Sequence, residues 1–83
     1  MAIRKTRVLV TAAGSCGGMA IINSLRPKKD IELFMVDADP CSHPFYMYKN
    51  IRHAIVPMGN DPRYASSVLE ISRKEKIDII FPI

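Results

Sequence analysis

The sequence predicts an α/β fold built on an open parallel sheet of about four strands, with helices on both faces. Three observations predict it. Short, β-branched apolar runs recur along the chain, as they do in strands covered on both faces. Between them lie segments with helical spacing of apolar residues. Glycine or proline marks nearly every junction. Strands that alternate with helices imply parallel pairing and right-handed crossovers.

The first strand covers Arg7–Thr11. A glycine-rich turn follows at Gly14–Gly18, then a helix from about Gly17 to Arg26 that Pro27 stops. Gly18, Ile21, Ile22 and Leu25 fall at i, i+3, i+4 and i+7 and form its apolar face. Ile31–Val36 is the second strand, with Asp37 and Asp39 at its acidic tip and Pro40 closing it. "CSHPFYMYKN" reads as a loop with one helical turn near Phe45–Tyr48, whose aromatics pack over the sheet edge. "HAIVPM" is a short third strand. Asp61 and Pro62 then cap and open a helix whose inward face is Ala65, Val68, Leu69 and Ser72. Glu70 and Lys74 are spaced to pair along it. Ile77–Phe81 is the fourth strand, nearly all apolar and expected to be central. The order is β-α-β-β-α-β.

The 83 residues suffice for one small domain or a piece of a larger one. A hydrophobic fraction of 48% excludes a disordered chain. The net charge is +4, but the bases in "IRKTR", "RPKK" and "RKEK" sit near element ends and form no helical stripe. No nucleic-acid partner is therefore expected; the cations read as solvated surface and as complements to helix C-termini. Cys16 and Cys41 form no CxxC pair, which favours a reducing cytoplasm. Cys41, His43 and His53 are too loosely spaced for a metal site. No apolar run approaches the ~18 residues that span a bilayer. The basic start followed by "VLVTAAGSC" mimics a secretion leader, but Thr11 interrupts the apolar run, and removal would delete the best strand.

The turn poses the functional question. A dinucleotide fingerprint uses three glycines, for a tight turn, for close approach of the pyrophosphate and for helix–strand packing. Aligned on Ala12-x-Gly14-x-x-Gly17, the chain has two of the three, and Asp37 lies twenty residues after Gly17, where an acid would hold a ribose. Three readings follow: glycines serving turn geometry and packing alone, a small-anion contact through the N–H groups of Ser15, Cys16, Gly17 and Gly18, or a complete dinucleotide site. Cys16 reads as a small buried filler, the alternative being a thiol activated by the helix N-terminus. Asp37 and Asp39 are placed on one side of the strand tip, able to hold a ribose, an amine or a metal-bound phosphate; alternatively Asp39-Pro40 only ends the strand.

"VLVTAAGSCGGMAIINSLR", "FMVDADP" and "DPRYASSVLEISRKEKIDIIFPI" together resemble the N-terminal pre-ATP-grasp domain of ATP-grasp ligases similar to the carbamoyl-phosphate synthase large chain. The resemblance covers nearly the whole chain and is most specific in its last third. It implies a Rossmann-like half that docks against a downstream ATP-grasp domain. ATP and Mg2+ would be held there, in a full-length parent of which these 83 residues are an N-terminal piece. A small-molecule carboxylate would be activated as an acyl phosphate and attacked by an amine. Carried over, Gly14, Ser15, Cys16, Gly17 and Gly18 line the substrate pocket, and Asp37 and Asp39 lie at its rim. The piece alone would carry no catalytic residue and no metal ligand. The departure at Ala12 is then expected, because a methyl group crowds a pyrophosphate but tolerates a carboxylate.

Two alternatives compete. Thr11 and Gly18 match the ends of the TGxxGxxG turn of NAD(P)-binding short-chain dehydrogenases and epimerases, with Gly14 inside it, but Ala12 and Ser15 replace its two other glycines. A non-catalytic module is the other, since a four-stranded half-sheet exposes apolar edges that favour a homodimer.

Overall fold

The computed structural model describes residues 4–83; residues 1–3, which open the leader-like stretch, lie outside the described residues. In chain order the elements are β1 (Thr6–Val10), α1 (Cys16–Leu25), β2 (Ile31–Asp37), α2 (His43–Met47), β3 (Arg52–Ile55), α3 (Tyr64–Lys74) and β4 (Ile79–Phe81). The strands form one sheet in the order β3-β2-β1-β4, and every pairing is parallel. This is a Rossmann-like open sheet. The helical turn expected near Phe45–Tyr48 is α2, which starts two residues earlier, so a helix joins every consecutive pair of strands.

Side-chain alternation splits the central strands between two cores. Val8 and Val10 of β1 and Leu33 and Met35 of β2 face α1 and α2, where they bury Ile22, Phe45, Tyr48 and Ile51. Leu9, Phe34 and Val36 face the other way, against Val56 and Val68, with Tyr64 and Ile71 packed alongside. Each such buried side chain contributes about 1.5–3 kcal/mol, so both faces must be covered for a chain this short to fold. The aromatics expected over the sheet divide: Phe45 and Tyr48 are buried, whereas Tyr46 is 61% exposed.

Three differences from the sequence reading have physical causes. The helix expected to start at Pro62 begins at Tyr64. The Asp61 carboxylate accepts from the Arg63 N–H and guanidinium, and Tyr64 N–H donates to the Asp61 carbonyl, which uses residues 61–63 for one separate turn. The inward face of α3 is also rotated. Tyr64, Val68, Ile71 and Ser72 turn inward, while Ala65 and Leu69 are exposed. Glu75 fixes that rotation: it is buried because Arg52 reaches it at 2.6 Å and Arg7 at 3.7 Å. Glu70 and Lys74 form no ion pair.

The third difference concerns the last strand. Ile77 is spent on the C-cap of α3, where its N–H donates to the Ser72 carbonyl and the Lys76 N–H to that of Arg73. Lys76 takes the left-handed φ of 54° that this motif requires. β4 therefore starts only at Ile79, and it pairs with β1 alone. Rather than central, it is an edge strand with Ile79 and Ile80 exposed. β3 ends early as well, at Ile55 rather than Met58, because Pro57 has no N–H for the ladder.

Gly18 is where helix meets strand. A Cβ there would lie 2.8 Å from Ala13 Cα and inside contact distance of the Ala12 carbonyl oxygen, both backbone atoms that cannot swing away. At Gly17 a Cβ would meet only the Ile83 side chain, at 3.1 Å. Gly18→Ala is expected to cost about 2–3 kcal/mol by urea denaturation, whereas Gly17→Ala stays within about 1 kcal/mol of the parent, the gain in helix propensity offsetting a small shift of Ile83.

Candidate functional site

The chain steps outward from β1 to β2 to β3, then α3 carries it back across the sheet to β4 on the other side of β1. The order thus reverses between β1 and β4. Open parallel sheets bind ligands beyond the carboxyl ends of their strands, near such a reversal. Here that end is built from residues 11–18, the tip of β2, the segment after β3 and Pro82–Ile83.

Thr11 closes the seam between β1 and β4. Its N–H and its hydroxyl both donate to the Phe81 carbonyl, at 3.2 and 3.1 Å, and its oxygen accepts from the Ile83 N–H at 2.9 Å. The next residue, Ala12, adopts φ +47°. This is the position of the first fingerprint glycine, so the chain makes the left-handed turn with a methyl group in place. The backbone conformation costs roughly 1–2 kcal/mol for an L-residue.

The turn is stitched internally. Ser15 N–H donates to the Ala12 carbonyl at 2.9 Å. The Ser15 hydroxyl donates to the same carbonyl at 2.7 Å and accepts from the Gly18 N–H at 3.1 Å, the bond of an N-cap. Gly14 N–H donates to Asp37 Oδ2 at 2.9 Å. Of the N–H groups expected to face an anion, those of Ser15 and Gly18 are therefore already used. Those of Cys16 and Gly17 make no hydrogen bond among the described residues and lie at the exposed start of α1. Cys16 is exposed too, which corrects its reading as a buried filler: Gly18, not Cys16, occupies the tight space.

Asp37 is the hub of this end. Besides Gly14 its Oδ2 accepts from the Ser42 hydroxyl at 2.8 Å, and its Oδ1 from the Asp39 N–H at 3.4 Å. Partial burial pulls its pKa upward, but the bonds from Gly14, Ser42, Asp39 and Ala38 outweigh that effect and hold the carboxyl below the ordinary aspartate value. Asp39 does something different. Its carboxylate accepts from the Cys41 N–H at 2.9 Å and stabilises the turn before α2, so the two acids do not converge on one point.

A cavity of about 270 Å³ opens beside this hub, between the tip of β2 and α3. Ala12, Asp37, Val56, Met58, Tyr64 and Ile83 border it. Of the residues expected to line the pocket or its rim, Gly14–Gly18, Asp37 and Asp39, Asp37 alone borders it. The sequence does not single out Ser42, and it marks Thr11 only as a match to the TGxxGxxG turn, not as the seam between β1 and β4. Ser42 precedes a His-Pro helix start and carries the signature of an N-cap, yet its buried hydroxyl serves Asp37 instead. Thr11 gives no such sign, because its partners are some seventy residues away.

Among the described residues no group of three or more His, Cys, Asp and Glu side chains is placed to hold a metal ion, and no helix is long and apolar enough to cross a membrane. No protein-family model matches the chain, and none of the curated proteins matches it.

Two outcomes follow from the turn. Ala12→Gly should raise stability by about 0.5–1 kcal/mol, the relief of the left-handed methyl exceeding the added freedom of the unfolded chain. Asp37→Ala should lower it by about 1–3 kcal/mol at neutral pH, because the buried Ser42 hydroxyl and the Gly14 N–H lose their acceptor. Since the folded-state pKa of Asp37 lies below 3.8, its contribution is complete above that pH and is lost as the pH falls through the folded value. Urea titrations at a series of acidic pH values should therefore show a shallower acid loss in Asp37→Ala than in the parent.

Proposed function

We propose that this chain is the N-terminal, substrate-side domain of an ATP-dependent carboxylate–amine ligase of the ATP-grasp type. The observation that carries the choice is the Gly14–Asp37 bond. A dinucleotide reading needs the Gly14 N–H for pyrophosphate and the Asp37 carboxylate for ribose. Here each satisfies the other, and a second anion at Gly14 would meet the ionised Asp37 directly. What stays open is the pair of N–H groups on Cys16 and Gly17, together with the positive end of α1. Two adjacent donors suit the two oxygens of one carboxylate.

In this reading the N–H groups of Cys16 and Gly17 orient the substrate carboxylate, and the cavity beside Asp37 takes the body of the substrate. ATP and Mg2+ are assigned to a downstream ATP-grasp domain, where acyl-phosphate formation and amine attack take place. Among the described residues no three His, Cys, Asp or Glu side chains are grouped to hold Mg2+, which supports assigning its ligands to the downstream domain. A second reading, a non-catalytic module that pairs into a homodimer, draws on the exposed Ile79 and Ile80 at the β4 edge.

The test uses the complete reading frame that contains these residues. With ATP, Mg2+ and a panel of small carboxylates, hydroxylamine should trap the activated carboxylate as a hydroxamate, and NADH fluorescence should not change on addition of the protein. Saturable NADH binding without hydroxamate, or a reading frame lacking any ATP-grasp domain, would overturn the proposal.

A further inference from the structure

Parallel topology has an electrostatic consequence at the end of the molecule opposite the turn. Every strand begins there and every helix ends there. Cations scattered through the sequence are thereby gathered: Arg4, Lys5 and Arg7 at the start of β1; Arg26, Lys28 and Lys29 after α1; Lys49 before β3 and Arg52 at its first position; and Arg73, Lys74 and Lys76 at the end of α3. Eleven of the twelve Lys and Arg residues lie at this end, and only Arg63 lies at the other.

Four carboxylates share the basic end: Asp30, Glu32, Glu75 and Asp78. They engage only Arg4, Arg7 and Arg52. Among the described residues Lys5, Arg26 and the lysines after α1, after α2 and around the end of α3 have no carboxylate within ion-pair distance. The three helix C-termini offset part of the excess, but at about half an elementary charge each they fall well short of eleven cations against four carboxylates.

A cavity of about 270 Å³ is set into this basic end. Lys5, Arg26, Asn50 and Arg52 rim it, and the buried Leu33 and Ile51 form part of its floor. Glu32, which also lines it, is held by Arg7 at 3.3 Å. Arg26 lies over the Tyr48 ring at 4.8 Å, and the Tyr48 hydroxyl donates to Asn23, so the guanidinium is backed by a fixed surface. Clefts whose lining charge is mainly of one sign concentrate the opposite ion, and here Lys5, Arg26 and Arg52 stand against the single carboxylate of Glu32.

We propose that this cavity is a binding site for a small phosphate-bearing anion, the cationic rim taking the phosphate and the apolar floor taking the body of a phosphate ester. The site lies at the opposite end of the sheet from the turn and does not depend on the function proposed for it. Its chemistry fits either inorganic pyrophosphate or a nucleoside monophosphate.

Amide and methyl NMR spectra of the 83-residue chain, recorded at low salt during titration with sodium pyrophosphate and separately with AMP, test it. The expected result is saturable shifts at Arg26, Asn50 and Ile51 with a Kd below about 1 mM. Movement of the Leu33 and Ile51 methyls with AMP alone would identify a nucleotide as the better ligand; shifts with pyrophosphate only would identify the inorganic anion. Lys5→Glu with Arg26→Gln should weaken binding at least about tenfold, while Arg63→Glu leaves it unchanged. Because Arg26 packs on Tyr48, Lys49→Glu serves as a milder variant that should reduce affinity less. Shifts confined to Cys16 and Gly17, unsaturable shifts spread over all lysines, or affinity unchanged in the double variant would overturn the proposal.

Discussion

The carboxylate of Asp37 is the interaction on which the upper end of this molecule depends. From the last residue of β2 it binds the turn after β1 through Gly14 and the approach to α2 through Ser42. The turn after β1 is thereby joined to the β2–α2 connection, 23 residues further on, at one charged group. The geometry is tight enough to dictate Gly14: a Cβ there would lie 2.9 Å from Asp37 Oδ2 and would strike the Ser42 hydroxyl. Once Gly14 is drawn toward β2, the chain must turn sharply after Thr11, and Ala12 takes up that turn in a left-handed conformation. The carboxylate thus stands where an external anion would otherwise reach the turn, and the donors of Cys16 and Gly17 are what remains for a ligand.

Beneath this hub the two apolar clusters hold β1 and β2 rigid, and they make the strand tips a fixed platform. Parallel pairing also gives the domain opposite electrostatic ends. Asp37, Asp39 and Asp61 stand near the strand tips against the single cation Arg63, whereas the opposite end is strongly basic. Asp61 and Arg63 form a close pair that lowers the Asp61 pKa to about 2. The proposed upper site therefore offers local N–H groups within an acidic surround. The proposed lower site offers a broad positive field that salt screens over about 10 Å at 0.1 M.

Most of the architecture was legible in the residues, because it rests on local chemistry. The apolar runs of β1 and β2, the glycine turn and the proline after α1 each declare themselves within a few positions. What escaped depends on partners far away. α3 carries two overlapping helical patterns that share Val68 and Ser72, and the choice between them is made by Glu75 reaching Arg52 and Arg7 on other elements. The apolar composition of Ile77–Phe81 suggested a buried strand, but composition does not reveal whether a second neighbour stands beside it. At the site, the glycines were recognised by spacing, and the acid at the tip of β2 by its distance along the chain. Their mutual satisfaction was hidden, since nothing local ties Gly14 to Asp37 or Ser42. Cys16 was read as a small buried filler, but the tight contact at the start of α1 falls on Gly18, and Cys16 is exposed.

The central claim is that an ionised Asp37 occupies the Gly14 donor in the free chain. The most direct measurement is an NMR pH titration that follows the Asp37 side-chain carboxyl carbon and the Gly14 amide proton together. The account requires both signals to move with one midpoint, below 3.8, with the Gly14 amide shifting upfield as the carboxylate is protonated and its bond weakens. A midpoint at or above that value, or a Gly14 amide that stays still while Asp37 titrates, would show that the turn is not held by this carboxylate.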